Sequence, residues 1–135
     1  MTTQTASGAF DVTLAPLSLD QPGNDSARGR MRLDKRFHGG LDATGAGEML
    51  TGMGSVSGSA AYVAIERISG TLNGKTGSFI VVHRGVMTRG APELAVTIVP
   101  DSGTGELAGI SGVMNLIVGN GRHNYTIDYS LPASA

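Results

Sequence analysis

The chain contains no cysteine and no tryptophan, and its 135 residues include only three tyrosines and three phenylalanines. Without thiols there is no disulfide framework, no cysteine nucleophile and no cysteine-ligated zinc or iron–sulfur centre. Charge is scarce as well: Asp, Glu, Lys and Arg make up 16% of residues, and the two signs nearly cancel to a net charge of -1. Such a balance sets up no field that recruits nucleic acid or an anionic membrane. No apolar run approaches the roughly 18–20 residues of a membrane-spanning helix. The N-terminal stretch Met1–Ser7 has no basic segment leading into an apolar one, so a cytoplasmic protein is expected. At 40% hydrophobic the chain is nevertheless too apolar to be disordered, and its length suits one domain over residues 1–135.

What the chain has in quantity is glycine, 21 residues of it. Between glycine-containing turns, apolar residues alternate with polar ones or form short β-branched runs, which predicts an all-β domain. The expected strands are Gly8–Leu14, Ala27–Phe37, Leu41–Leu50, Ala60–Leu72, Lys75–Met87, Leu94–Val99, Gly112–Val118 and His123–Leu131. Eight strands suit a closed antiparallel barrel. The segment Ala15–Ser26, with Pro16, Pro22 and Gly23, reads as its longest loop.

One connection can be placed in register. Asn73-Gly74 is a preferred two-residue hairpin turn, because both positions accept the positive φ of a type I′ turn. It pairs Leu72 with Lys75, Ile68 with Phe79, Glu66 with Val81, Ala64 with His83 and Tyr62 with Gly85. His83 then lies diagonal to both Tyr62 and Glu66, where Cβ atoms are roughly 7–8 Å apart and long side chains meet. The opposite face of this hairpin carries Val63, Ile65, Ile80, Val82 and Val86. Such an apolar outer patch predicts the interface of a homo-oligomer, a dimer or trimer, with an N-terminal segment folded over the strands as the alternative cover.

Two glycine motifs are decoys. Gly70-Thr-Leu-Asn-Gly74-Lys75-Thr76 has three residues between glycines where a phosphate-binding loop has four, and no helix follows it. Gly103-Thr-Gly105-Glu-Leu-Ala108 has the look of a dinucleotide fingerprint but lacks a βαβ unit. His38, His83 and His123 have no metal-ligand spacing, so neither a metal nor a cofactor is expected. Arg28, Arg30, Arg32 and Arg36 alternate on one strand face without interleaved aromatics, as a solvated outer face does.

Alternation places a small polar set on the inner, apolar side. Lys35 shares its face with Leu33 and Phe37, Glu66 and His83 share the inner hairpin face with Tyr62 and Phe79, and His123, Tyr125 and Tyr129 alternate inward on the last strand. A few polar groups on an apolar wall is the composition of a small-molecule site. Three readings are open. Lys35, Tyr62, Glu66, Phe79, His83, His123, Tyr125 and Tyr129 bind a compact, largely apolar molecule; or Glu66 and His83 act as the acid–base pair of a cofactor-free isomerase or cyclase; or the polar groups satisfy one another in a packed structural oligomer. Ala43, Gly45, Gly47, Ala60 and Ala64, small and inward, either leave room for a cavity or mark strand bends.

Several stretches together resemble an uncharacterised bacterial domain-of-unknown-function family with a barrel like that of allene oxide cyclase. They are Lys35-Arg-Phe37-His-Gly39-Gly-Leu41, Tyr62-Val-Ala-Ile-Glu66-Arg-Ile-Ser-Gly70-Thr-Leu, Gly77-Ser-Phe79, His83-Arg-Gly85, Ser102 through Gly109 with Ile110-Ser-Gly112, and His123-Asn-Tyr125 through Tyr129. The resemblance covers nearly the whole chain and implies an eight-stranded antiparallel barrel that associates through its outer sheet faces. Allene oxide cyclases and the similar dirigent proteins steer closure or coupling of reactive apolar molecules in a shaped pocket. Their functional residues have no matching motif here, so the resemblance implies no catalytic role for any residue.

Overall fold

The computed structural model describes residues 3–19, 27–119 and 121–132. It contains eight strands: β1 (Thr3–Leu17), β2 (Arg28–Phe37), β3 (Leu41–Met53), β4 (Ala60–Leu72), β5 (Lys75–Thr88), β6 (Ala91–Ile98), β7 (Ser111–Gly119) and β8 (Arg122–Ser130). Each pairs antiparallel with its chain neighbour and β1 closes on β8. The barrel is thus all up-and-down, as the regular spacing of turns predicts. The Asn73-Gly74 turn has φ angles of 47° and 84°, and the β4–β5 register is the one that turn dictates, with Ala64 opposite His83 and Tyr62 opposite Gly85.

Strand ends depart most from the sequence expectation at four places: β1 begins at Thr3 rather than Gly8, β3 runs on to Met53 rather than ending at Leu50, and two further ends involve proline. β1 continues through Pro16 to Leu17, into what reads as loop, where Pro16 pairs with Met31. β1 changes partners along its length: Thr3–Ala9 pair with β8 and Phe10–Leu17 with β2. Beyond Ala9 its β8-side edge is unpaired, so a residue lacking N–H fits there. Residues 20–26 of the expected loop lie outside the described residues. Similarly β6 begins at Ala91 rather than Leu94, because Arg89-Gly90, at φ 47° and 91°, makes a second tight hairpin. Pro92 is tolerated since β6 meets β7 only at Val96–Met114 and Thr97–Val113, leaving that edge open.

The two ends of the barrel are built differently. At the packed end Phe37, Leu41, Leu72, Phe79, Leu107, Ile110, Tyr125 and Tyr129 are all buried, and Phe37 meets Tyr125 edge-on at 5.4 Å. Leu107 belongs to a short 3-10 turn, Gly105–Leu107, within the glycine motif that mimicked a dinucleotide fingerprint, and it plugs this end. The connection holding it is stitched to β5, where Ser78 N–H donates to Thr104 Oγ1 (3.0 Å) and Thr104 N–H to Ser78 O (2.8 Å). At the opposite, open end, inward-facing Met31, Met49 and Leu94 border free volume. Of the arginine stripe, Arg30 pairs with Glu48, Arg32 with Asp34 and Arg36 with Asp42 on the solvated outer face, each worth about 0–1 kcal/mol.

Candidate functional site

Midway through the barrel, β2, β4 and β5 each turn one ionisable side chain inward: Lys35, Glu66 and His83, exposed by 7%, 0% and 2%. Burying such groups is tolerated only when they are paired. Lys35 Nζ donates to Glu66 Oε1 at 3.2 Å, and the same oxygen lies 2.9 Å from His83 Nε2. The ammonium also sits over the rings of Phe10 and Phe37, 5.1 and 5.7 Å from their centroids, which lowers the cost of its desolvation. With Nε2 as donor to the carboxylate, neutral His83 has Nδ1 as its acceptor, and Tyr62 Oη stands 3.4 Å from it. The order is therefore Lys35, Glu66, His83, Tyr62, running from the barrel centre towards the open end.

Two inward glycines make this network possible. A Cβ at Gly45 would overlap Glu66 Oε2, so the carboxylate occupies the place of a side chain on β3. A Cβ at Gly85 would overlap the ring of Tyr62, which lies across β5 at that point. Of the two sequence readings of Gly45 and Gly47, the one in which they leave open volume is overturned by these contacts. Glu66 fills the first position, and the β4 backbone at Ile65 and Glu66 approaches the second. Glu66 Oε2 itself has no hydrogen-bond partner among the described residues.

The free volume lies above the network. A cavity of about 500 Å³ opens at the end of the barrel, lined by Met31, Met49, Met53, Met87, Leu94 and Tyr62 among others. Four of the chain's six methionines thus stand around one opening. Unbranched and polarisable, they adapt to ligands of different outline. Tyr62 is the one site residue shared by cavity and network. Burial, and after it the Glu66 carboxylate, raise the pKa of its phenol above the ordinary 10.0.

The eight residues expected to bind a ligand separate into groups. Lys35, Glu66 and His83 assemble with Tyr62, as the diagonal register predicts. Phe79, Tyr125 and Tyr129 are buried at the packed end and do not line the cavity. Tyr125 Oη accepts from Leu41 N–H (2.8 Å) and lies 2.8 Å from His38 O, while Tyr129 Oη accepts from Asn73 Nδ2 (2.7 Å). Their hydroxyls tie turns together. His123 packs on Phe10 at 5.3 Å, and His38, near the β2–β3 turn, meets Asp11 at the surface, so the three histidines do not converge. The methionines and Leu94 were missed from sequence, although Met31 and Met49 keep the inward parity of their strands; their register partners across β2–β3 could not be placed without the turn at Gly39-Gly40.

The comparisons with known proteins agree with this architecture. A protein with unknown function from Shewanella oneidensis MR-1, assigned in its crystal structure to the DUF3224 family, is 42% identical and superimposes with a TM-score of 0.92 over 98% of this chain and 100% of its own. No curated protein matches. The family model for proteins of unknown function, DUF3224, aligns with residues 6–129, from β1 into β8 and through every residue of the polar network. A match spanning the whole barrel, together with a relative this similar, establishes that the chain belongs to the DUF3224 family.

Proposed function

We propose that the protein binds a compact, uncharged and largely apolar small molecule in the open end of its barrel. The observation that carries this reading is the methionine-rich cavity of about 500 Å³ set directly above a buried polar network. Apolar walls with a single convergent polar cluster are the usual make-up of a ligand site. Among the described residues no Lys or Arg lines the cavity and Glu93 stands among its lining residues, an arrangement that favours a neutral ligand over an anion. Purified protein, weighed first under native and then under denaturing conditions, should release a stoichiometric small molecule or take one up from an apolar library. Met49→Trp, which fills the volume, should abolish uptake; uptake unaffected by that change would sink the reading.

A second reading concerns the outer face. Val63, Ile65 and Val82 are 51%, 53% and 37% exposed, and with Leu50 they border a groove of about 350 Å³ on the outside of β3–β5. The register row from Ile65 through Val82 and Thr97 to Val113 carries this strip across four strands, interrupted by one threonine. We propose a second copy of the chain as its cover, since antiparallel strands present the same strip to a two-fold partner. Sedimentation should show an oligomer that Ile65→Asp dissociates. A monomer at micromolar concentration would remove this proposal.

A further inference from the structure

Recognition of a ligand in the open end, which presupposes the binding reading proposed above, depends on the polar group that the ligand meets there. Glu66 and His83 are sealed from the cavity, so neither reaches a ligand directly. They reach it through Tyr62. Because His83 Nε2–H is committed to Glu66 Oε1, Nδ1 accepts, and the Tyr62 hydroxyl points its proton inward to it. That bond, 3.4 Å long, is the only one Tyr62 Oη makes among the described residues. The lone pairs of the phenolic oxygen are thus unused, and the cavity presents a hydrogen-bond acceptor with a base behind it.

We propose that Tyr62 is the polar recognition residue of the cavity and that the ligand is an apolar molecule carrying a weakly acidic O–H, a phenol or an enol, which donates to Tyr62 Oη. The same geometry makes a proton relay. The ligand's proton passes to Tyr62 Oη as the phenolic proton of Tyr62 passes to His83 Nδ1. The O–H bond of the ligand breaks, a new O–H forms on Tyr62, and a new N–H forms on His83. The products are the ligand oxyanion and an imidazolium paired with the Glu66 carboxylate, with no oxidant or cofactor consumed. Glu66 suits the role because its Oε1 already lies 2.9 Å from His83 Nε2, and among the described residues its Oε2 has no hydrogen-bond partner. Lys35 Nζ pairs with that carboxylate from the other side, at 3.2 Å from Oε1. Tyr62 remains a phenol throughout, in keeping with an ionisation pushed upward by burial and by Glu66.

Two probes of nearly equal size separate this inference from the ligand reading beneath it: 2-naphthol, which donates a hydrogen bond, and 2-methoxynaphthalene, which cannot. Fluorescence titration of the full chain should show 2-naphthol bound about tenfold more tightly, the worth of one desolvated hydrogen bond. In Tyr62→Phe the ratio of the two affinities should fall to about one. 2-Naphthol is also a photoacid, so the bound probe should emit as naphtholate in the wild-type cavity and as neutral naphthol in Tyr62→Phe and His83→Gln. Should His83→Gln fail to fold, Glu66→Gln replaces it, because a neutral amide no longer stabilises the imidazolium. Failure of both probes to bind would overturn the cavity itself. Equal binding of the two, a preference surviving Tyr62→Phe, or naphtholate emission surviving His83→Gln or Glu66→Gln would leave the cavity standing and overturn the relay.

Discussion

The barrel treats its tyrosines differently at its two ends. At the packed end Tyr125 and Tyr129 are buried, and their hydroxyls are held at 2.7–2.8 Å by Leu41, His38 and Asn73, groups that belong to the turns. At the open end Tyr62 is half-buried and has one long bond to His83. The same side chain is a rivet in one place and an unsaturated polar group in the other. Optimised packing and fully used hydrogen bonds mark the region that holds the fold together, and slack marks the region available to a ligand.

Truncation should show the contrast most strongly. Phe37→Ala, in the packed end, should cost about 3–5 kcal/mol in urea unfolding, because the void it leaves is enclosed on all sides. Met49→Ala, beside volume that is already open, should cost under about 1 kcal/mol. Equal losses would erase the distinction between the ends.

Between the ends, Lys35→Met should destabilise by about 3–5 kcal/mol, since it strips a buried carboxylate of its cation. Adding Glu66→Gln should recover much of that loss, because a neutral amide needs no cation while its oxygen still accepts from His83 Nε2. No recovery in the double variant would mean that Lys35 acts through its packing on Phe10 and Phe37 rather than through charge.

Smaller again is the removal of one oxygen. Tyr125→Phe leaves Leu41 N–H and His38 O without their partner and should cost about 1–3 kcal/mol, whereas Tyr62→Phe should cost under about 1 kcal/mol. The smallest effect is alkaline. Tyr125 is raised above 10.0 by burial, against which the Leu41 hydrogen bond works, with Asp42 adding to the rise; Tyr62 is raised by burial and Glu66. The unfolded chain loses these protons as the pH passes 10.0 while the folded chain keeps them. Their contribution is therefore complete below pH 10.0 and declines as pH rises through the folded values. Unfolding midpoints measured from about pH 9 to 11 should fall, and less steeply in Tyr125→Phe.

Much of this was legible because one local signal carried long-range information. Asn73-Gly74 set the β4–β5 register, and the register placed Tyr62, His83 and Glu66 on one diagonal. The proline-containing ends of β1 and β6 were not legible, since a proline reads as a breaker unless the neighbouring edge is known to be unpaired. The fate of the aromatic residues was half legible. Alternation turns Phe79, Tyr125 and Tyr129 inward, but parity says nothing of height along the barrel axis, so it cannot separate a packed end from an open one.

Composition and periodicity by themselves determined an all-β chain of eight strands, one hairpin register and an inward polar set, because each depends on residues close together in the chain or on a period of two. Barrel closure decided the rest. It brought Lys35 on β2 to the Glu66 carboxylate on β4, in the space that Gly45 on β3 leaves between them. It also gathered four methionines from three strands, β2, β3 and β5, around one opening. Those meetings depend on the combined register of successive strands and on the curl of the sheet, which belong to the assembled barrel and to no single segment.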